Sequence, residues 1–582
     1  MFRTVAIKAV DRLLRKSGLY RVLLSARNTR TGHISRPLKI SEQEQFFVHY
    51  SENLENNSYN IFGITRKEMI DPAAGIPFWK VSWKGFDPKD FWEIARGWQW
   101  LPAVIQAKRE RKERIATDKI ITWLDQNPYP NGLAWAVALD VAIRAINLLL
   151  IYSATEDRRL VPYLHQHYVY LKRMLWLSKG AIRNNHYLGE LTALALLAKV
   201  FESGKSKKLC KLLEKEIARQ FYSDGVNVEQ SVRYHKFSLE FVIIANLFLD
   251  VETPILDKAG RFLMALRKPD GSWPSIGDDD LGCVIRLHDD ALEKDYLSVL
   301  STVAAIMQDG QMKFAAGELA PESELFIPSV RNTWEGLRAV EPDKSFVFPE
   351  GGFYTYRTGW SRKDSWFLIK FGPHKWHAHA DLFHIELTIA GQPILIDSGT
   401  FRYNNVAEDR RYFRSTAAHN TLEFNEMDQS KQLSTFRWLH PARVVEWNID
   451  ESDKDILFTG IHNGYKRYGV LHIRQVTLDR TMKKMKVIDI LKGSGKGSAK
   501  VYWHLDPEIQ PRIPNNKEYV LTSNGVDRTR IIVKASEPMK TEIVETPFSK
   551  MYGHKSSKKT IVICSSKQRK KDLVIETRFS FE

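Results

Sequence analysis

Cysteine is scarce in this chain, which has only Cys210, Cys283 and Cys564 among 582 residues. The three lie far apart and form no Cys-x-x-Cys pair, so the sequence argues against a disulfide framework and against a cysteine-based zinc site. Any metal must therefore be bound by histidine and carboxylate side chains.

Long apolar runs are also lacking. The basic segment 1–28 interrupts each apolar run with Arg, Asp or Lys, so it holds no secretory core of about 7–15 residues. No run of about 20 residues predicts a transmembrane segment. We therefore expect a cytoplasmic protein, with the periplasm as the alternative. Helical spacing within segment 1–28 predicts a helix packed on the protein, with peripheral contact to an anionic membrane as the alternative.

Acidic residues are outnumbered, because 86 Lys and Arg face 69 Asp and Glu, a net charge of +17. Such a charge attracts nucleic acid, acidic lipid or acidic polysaccharide. No zinc finger, helix-turn-helix or aromatic RNA-binding motif stands out, which argues against a nucleic acid partner. Apolar residues at 43% and charged residues at 27% are typical of a folded globular chain.

Hydrophobic periodicity divides the chain into three regions. Residues 1–85 form a lead-in, residues 86–330 repeat apolar positions at helical spacing, and residues 345–582 contain many short strands. Consecutive helices with short connections predict helical hairpins that form a bundle or ring, and the strands predict an antiparallel sandwich. The stretch from Gln308 to Lys344, rich in Pro, Glu and Ser, is the predicted linker.

The densest cluster of ionisable residues lies between His374 and His384. If this segment is extended, His377, His379 and Asp381 share one face. Two imidazoles at that spacing can bind one metal, or one can bind it while the other does acid–base work. The alternative is a solvent-facing or structural His-x-His pair.

A polar segment follows Asp397 and leads to His419. Together with His379, these residues supply two imidazoles and one carboxylate, a ligand set that suits zinc and leaves a coordination position open. Asp397 alone would otherwise be a turn cap.

The helical half offers three weaker candidates. Asn185 and His186 precede a helix predicted to begin near Leu188, where amide donors favour a carboxylate ligand. Tyr234 next to His235 offers a phenol and an imidazole, although such pairs more often serve packing. The turn 275–280 is rich in carboxylates and is otherwise a loop or helix cap.

These motifs, in this order, resemble the heparinase II/III-like polysaccharide lyases from about Trp92 to His419. The motifs are Asn-Asn-His at 184–186, Arg-Tyr-His at 233–235, Pro-Ser-Ile-Gly-Asp-Asp-Asp at 274–280, His-Ala-His-Ala-Asp at 377–381, Ile-Asp-Ser-Gly-Thr at 396–400 and His-Asn-Thr at 419–421. The resemblance implies a multidomain α+β chain with an N-terminal (α/α) toroid, a C-terminal antiparallel β-sandwich, and an active site in the cleft between them. It implies no organic cofactor.

The resemblance also assigns roles to individual residues. Asn185 and His186 match the pair that neutralises the substrate carboxylate, and Tyr234 and His377 match the catalytic tyrosine and histidine. The metal ligands match His379, Asp397 and His419, and a second tyrosine matches either Tyr403 or Tyr412. The candidate substrate-binding residues are Arg233, Arg402, Tyr403, Arg410 and Tyr412.

The implied reaction is β-elimination on a uronate-containing polysaccharide, with a role in bacterial capsule or exopolysaccharide metabolism as a further expectation. Either Tyr234 and His377 share the proton transfers, or Tyr234 performs both. As a base, a phenol with a pKa of about 10 needs nearby positive charge, for which Arg233, His235 and the metal are candidates.

Two alternatives come from other functional classes. A toroid glycoside hydrolase would use Asp278 and Asp279 as acid and base. A non-catalytic polyanion-binding protein would use the basic runs 108–109, 558–559 and 569–571.

Overall fold

The computed structural model describes most of the chain beyond the lead-in. The described residues are Leu38, 58–61, 64–67, 71–181, 183–201, 204–287, 292–515, 518–523, 526–565 and 572–581. The helix predicted in segment 1–28 and the basic run 569–571 lie outside these residues.

The chain divides into two units. The helical unit comprises residues up to Phe221, Lys236–Gly260 and Gly282–Val340. The sheet unit comprises Tyr222–His235, Arg261–Leu281 and Glu341–Glu582. Two short segments from the middle of the chain therefore belong to the sheet unit, and both carry motifs from the sequence analysis.

Helices dominate the chain between Lys89 and Gly336, as the periodicity predicts. Their bounds are Lys89–Ala95, Trp100–Arg109, Glu113–Gln126, Ala138–Thr155, Val161–Ala181, Asn185–Val200, Ser206–Gln220, Val232–Phe248, Leu256–Leu266, Leu292–Met307, Gly310–Ala316, Pro321–Phe326 and Val330–Gly336.

The central helix of the helical unit, Ala138–Thr155, is apolar on most of its circumference. Among the described residues it is the one helix long and apolar enough to cross a membrane, and 78% of that window is buried inside the protein. A helix that is hydrophobic all round is typical of a protein core. Close packing explains Gly189, because a Cβ there would lie 2.6 Å from side-chain atoms of Leu139 and Phe241.

The prediction that Gln308–Lys344 is a linker is wrong. Three short helices occupy it, and Met312, Leu325 and Phe326 on them are buried. Asp309 caps the first helix by accepting hydrogen bonds from two backbone N–H groups at 2.8 Å. Pro, Glu and Ser here mark helix N-termini, where these residues are favoured, rather than a flexible connection.

Three antiparallel sheets form most of the sheet unit. The five-stranded sheet contains Ser345–Phe348, Phe353–Arg357, Trp366–Lys370, Ile385–Ile389 and Gln392–Leu395. The four-stranded sheet contains Leu422–Phe424, Ala499–His504, Met539–Phe548 and Ser556–Ser565. The eight-stranded sheet contains Val444–Glu451, Asp455–His462, Val470–Asp479, Lys484–Gly493, Gln510–Asn515, Glu518–Ser523, Val526–Ala535 and Leu573–Phe581.

Shorter elements complete the description. They are the strand pairs Ser58–Ile61 with Ile64–Lys67 and Lys431–Gln432 with Trp438–Leu439, the helix Ala407–Phe413, and the 3-10 helices Phe78–Lys80, Leu133–Trp135, Arg158–Leu160, Thr416–Ala418 and Lys466–Tyr468.

Residues along Val470–Asp479 alternate between buried and half-buried, as expected for a strand with one face on a core. A single hydrophobic cluster contains residues of all three large sheets. Within it, the rings of Trp503 and Phe579 meet edge to face at 5.1 Å, which joins the four-stranded sheet to the eight-stranded one. The sheets therefore pack as the predicted sandwich.

Candidate active site

The histidine-rich segment is a loop between the strands Trp366–Lys370 and Ile385–Ile389. The extended conformation considered from the sequence is wrong, because turns interrupt it, and His377, His379 and Asp381 do not act as one set. Both histidines contact Asp278, at 2.9 and 3.0 Å, whereas Asp381 forms a buried ion pair with Lys370 at 2.7 Å. The ion pair anchors the end of the loop to the neighbouring strand.

Asp278 is the centre of the charged groups in the sheet unit. Its carboxylate is buried, accepts hydrogen bonds from both histidines, and forms a two-oxygen ion pair with Arg410. Burial alone would raise its pKa, but Arg410 and the hydrogen bonds from His377 and His379 hold the pKa of Asp278 well below its usual range. Asp278 is therefore a fixed anion that orients both rings.

Glycine at 277 allows this approach. Its φ of +75° lies in the left-handed region, and a Cβ there would be 2.8 Å from the backbone oxygens of Gln230 and His377. The motif 275–280 therefore packs closely against the backbone at Gln230 and His377. From the sequence, only a turn could be predicted there.

Tyr234 lies flat against His377. Their ring centroids are 3.7 Å apart with an interplanar angle of 8°. The hydroxyl of Tyr234 lies 3.2 Å from that of Tyr403, within hydrogen-bonding distance. The structure thus brings together three predicted site residues, of which Tyr403 is one of the two tyrosines that the sequence left open.

The expectation that Arg233 or His235 lowers the pKa of Tyr234 is wrong, and the part expected of the metal stays a prediction. Burial raises that pKa well above its usual value, Asp280 and Asp278 raise it further, and the hydrogen bond to Tyr403 opposes them. Arg233 is bound to Asp279 at 3.0 Å. The resting phenol is therefore protonated near neutral pH.

Arg410 was predicted to bind substrate, but its side chain is buried and contacts other residues of the sheet unit. It is 4% exposed, donates to the backbone oxygen of Thr435 at 2.9 Å, and lies 4.7 Å over the ring of Tyr403 and 5.3 Å over that of Phe436. Its charge is directed to Asp278. Arg410 therefore joins the loop of Phe436 to the ring of Tyr403 and to Asp278.

The other predicted substrate-binding residues lie in varied surroundings. Arg233 is 2% exposed beside Asp279, and Arg402 lies 5.8 Å over the ring of Tyr552. The ring of Tyr412 contacts that of Phe413 at 5.4 Å, edge to face. Their role in binding substrate stays a prediction.

The predicted metal ligands do converge. One ligand atom each from His379, Asp397 and His419 lie within 4.8 Å of one another, and all three residues are buried. Nδ1 of His379 and Nε2 of His419 have no hydrogen-bond partner among the described residues, while the opposite ring nitrogens contact Asp278 and Asp397. The carboxylate of Asp278 on one nitrogen of His379 leaves its other nitrogen as a metal ligand, and two imidazoles with one carboxylate are a ligand set that suits zinc.

Burial lowers the pKa of His379 to about 4, with the hydrogen bond to Asp278 opposing it. Burial would raise the pKa of Asp397, but His419 outweighs it and keeps that pKa below the usual range. Neutral imidazole and charged carboxylate are the forms that bind metal.

Asn185 and His186 belong to the helical unit. The helix begins at Asn185, three residues before the predicted start, because the side chain of Asn184 caps it by accepting from the backbone N–H of His186 at 3.1 Å. Asn185 is buried and His186 is half-buried. Their predicted role in binding a carboxylate stays a prediction.

Two residues of the cluster were not assigned a site role from the sequence. Glu229, in the stretch before Tyr234, lies 3.2 Å from Nε2 of His377, and the ring of Phe436 meets that of His377 at 5.5 Å. Glu229 stands five residues before Tyr234, where no sequence signal marks it. The contacts of Phe436 depend on how its hairpin folds back, which local sequence does not determine.

The match to a known protein family lies in the sheet unit. Residues 341–576 match the family described as heparinase II/III-like, C-terminal. The heparin-sulfate lyase of Pedobacter heparinus is 23% identical over 351 residues, which are 57% of this chain and 47% of that protein. The heparin-sulfate lyase of Bacteroides stercoris is 23% identical over 379 residues, 62% of this chain and 50% of that protein. The matches therefore span about half the length of these curated relatives.

Solved structures extend the likeness to the whole chain. A crystal structure of heparinase III aligns with a TM-score of 0.71 and 14% identity, covering 98% of this chain and 91% of that one. The heparan sulfate lyase HepC from Pedobacter heparinus aligns with a TM-score of 0.60 and 19% identity, covering 100% and 89%. This likeness confirms the predicted fold class, an N-terminal (α/α) toroid followed by an antiparallel β-sandwich. The resemblance seen in the motifs is confirmed as well: residues 341–576 carry the heparinase II/III-like C-terminal domain, and the chain as a whole has the heparinase III fold.

Proposed function

We propose that this protein is a carbon–oxygen lyase that cleaves an acidic, uronate-containing polysaccharide by β-elimination. The observation that carries the proposal is the phenol of Tyr234, stacked on His377 at 3.7 Å and 3.2 Å from the hydroxyl of Tyr403. The names of the relatives, both heparin-sulfate lyases, support heparan sulfate as the first substrate class to test. The net charge of +17 suits a polyanionic substrate.

The chemistry requires a proton to leave C5 of the uronate and the C4–O4 bond to break. The C5 proton is weakly acidic, and its removal places charge on the adjacent carboxylate, so that group must be neutralised. Asn185 and His186 are the predicted donors for it. Each donor directed at a developing oxyanion is worth about 3–4 kcal/mol.

Tyr234 suits the protonation of O4, the leaving oxygen. Its pKa is raised by burial and by Asp280 and Asp278, so the phenol holds its proton until the leaving group needs it. In the first route the C5 proton goes to a ring nitrogen of His377 that its carboxylate partner has released. In the second route the phenol of Tyr234 first loses its proton to solvent, then takes the C5 proton and passes it to O4. His377→Ala distinguishes the routes, because the first predicts complete loss of elimination and the second predicts residual turnover.

The glycoside hydrolase alternative receives less support. A glycosidase needs one carboxyl group with a raised pKa to serve as its acid, whereas the pKa of Asp278 is held well below its usual range by Arg410 and two histidines. Asp279 is bound to Arg233. Because Asp278 orients His377 and His379, replacing it would impair a lyase too, and only the product distinguishes the two reactions.

We also propose zinc at His379, Asp397 and His419. Zinc bound there would supply a fixed positive charge that organises the surrounding loop. We expect metal analysis of the purified protein to find about one zinc per chain, and a chelator to lower the unfolding temperature reversibly. His419→Ala should lack both the metal and the chelator response. Full metal binding by His419→Ala would contradict the assignment.

The activity is tested on a panel of heparan sulfate, heparin, alginate, hyaluronan and a bacterial exopolysaccharide. Elimination generates the ultraviolet absorbance of a conjugated unsaturated uronate, and Tyr234→Phe should abolish it while the protein remains folded. New reducing ends without that absorbance would refute the proposal. The cytoplasmic location and the capsule or exopolysaccharide role stay predictions, which cell fractionation and a deletion strain would test.

A further inference from the structure

We propose that Glu229 is a positioning residue that fixes the imidazole of His377 against the phenol of Tyr234. This inference rests on the proposed function, since it concerns the same rings. It concerns the arrangement of the resting protein, so it can be tested by structure as well as by rate.

Two acidic residues hold His377 at every polar atom. The backbone N–H of His377 donates to the backbone oxygen of Glu229 at 3.2 Å, and its backbone oxygen accepts from the N–H of Asp278 at 2.9 Å. Its ring repeats the pattern, with Nε2 3.2 Å from the Glu229 carboxylate and Nδ1 2.9 Å from that of Asp278. One residue on each side therefore binds both the main chain and the ring.

This double attachment leaves the ring little freedom. A backbone contact alone would permit the imidazole to rotate about its side-chain bonds, and a single ring contact would permit it to pivot about that nitrogen. Contacts at both nitrogens determine the plane of the ring as well. That plane is the one on which Tyr234 lies, with an angle of 8° between the rings.

The two carboxylates are not equivalent in their other contacts. Asp278 also binds Arg410 and His379, so its position is determined by several partners. Glu229 is fully buried and belongs to the segment that continues into Tyr234. Glu229 and Tyr234 therefore lie on one segment, so a movement of the Glu229 side chain changes the position of the His377 ring relative to the Tyr234 phenol.

Turnover should depend on Glu229 because it sets the distance between the His377 ring and the substrate. A displacement of about 1 Å between a catalytic group and its substrate costs on the order of 100-fold in rate. Loss of the Glu229 contact should therefore lower kcat more than it raises KM, since binding of a polyanionic chain depends on other groups.

The test compares Glu229→Ala and Glu229→Gln with Glu423→Gln as a matched control. Glu423 is also a buried glutamate of the sheet unit, and its carboxylate accepts from Tyr502 at 2.9 Å. We expect Glu229→Ala to lower kcat on the order of 100-fold with KM changed less than about threefold. Glu229→Gln keeps an oxygen acceptor and should recover most of the lost rate, and Glu423→Gln should stay near wild type.

A crystal structure of Glu229→Ala supplies the second readout, which needs no activity. We expect His377 to rotate away from its parallel contact with Tyr234 while the surrounding strands stay in place. Parallel rings in that structure, or unchanged kcat in the folded variant, would each overturn the inference. If wild-type protein is inactive on every polysaccharide, the proposed function fails, whereas the ring geometry still decides whether Glu229 positions His377.

Discussion

Replacing Arg410 by alanine separates two roles for this residue, contact with substrate and support of the rings of His377 and Tyr403. The sequence predicts the first. The structure places the guanidinium on the buried carboxylate of Asp278 and on the backbone oxygen of Thr435. A support role predicts a loss of stability together with activity, whereas a substrate contact predicts a higher KM in a protein of normal stability.

The magnitude follows from the contacts. Removing one partner of a buried ion pair costs about 3–5 kcal/mol, because the other charge stays buried. Loss of hydrogen bonding to Thr435 adds about 1 kcal/mol, and these contributions are not additive where partners are shared. We therefore expect Arg410→Ala to lose about 4 kcal/mol of unfolding free energy. At about 2–4 °C per kcal/mol for a domain of this size, the unfolding temperature should fall by about 10 °C.

The adjacent Arg411 provides the matched control, since it lies on the same helix, Ala407–Phe413, and is exposed. Thermal unfolding and initial rates are measured on both alanine variants. Arg411→Ala should unfold within about 2 °C of wild type, as expected for a surface substitution. Normal stability of Arg410→Ala with an increased KM would refute the support role and restore the predicted substrate contact.

Three further predictions follow from individual residues. Tyr403→Phe removes the hydroxyl beside Tyr234 and should lower kcat by about 10- to 100-fold, whereas Tyr412→Phe should stay near wild type; equal kcat values would contradict this assignment. Gly277→Ala places a Cβ 2.8 Å from two backbone oxygens at a φ of +75°, so denaturant titration should register a loss on the order of 2 kcal/mol, and an unchanged midpoint would count against the close packing there. Burial would raise the pKa of Asp489, but Arg474 and His472 outweigh it and lower the folded pKa to about 2, below the unfolded value of 3.8. The stabilisation from Asp489 is therefore present above pH 3.8 and is lost as the pH falls through about 2. The difference in unfolding free energy between wild type and Asp489→Asn should therefore change by about 2 kcal/mol between roughly pH 5 and pH 2, as wild type loses this stabilisation. A difference that stays constant with pH would contradict the prediction.

Much of the fold could be predicted from local sequence patterns. The helix Ala138–Thr155 is a long apolar segment, and the strand Val470–Asp479 alternates with a period of two, so each element is indicated by its own residues. The linker prediction failed because Pro, Glu and Ser are common both in loops and at helix starts. The capping contacts of Asp309 decide between these possibilities, and composition alone does not contain them.

The candidate site was harder to predict, since its geometry depends on long-range contacts. The set His379, Asp397 and His419, whose ligand atoms could hold a metal, was found because its residue types are chemically distinctive. Glu229 and the true partner of Arg410 were missed because an acidic or basic side chain looks the same in sequence whether it faces solvent or a buried charge. The raised pKa of Tyr234 likewise follows from burial beside Asp280 and Asp278, which neighbours in sequence do not determine.

The most direct test of elimination is the mass of the products formed from heparan sulfate in water labelled with heavy oxygen. β-Elimination breaks the C4–O4 bond without adding water, so every new non-reducing end should be an unsaturated uronate, and products analysed before their reducing ends exchange oxygen with water should carry no label. Hydrolysis adds one water at each cleavage. Saturated non-reducing ends, with heavy oxygen at the new reducing ends from the start of the reaction, would contradict the lyase account.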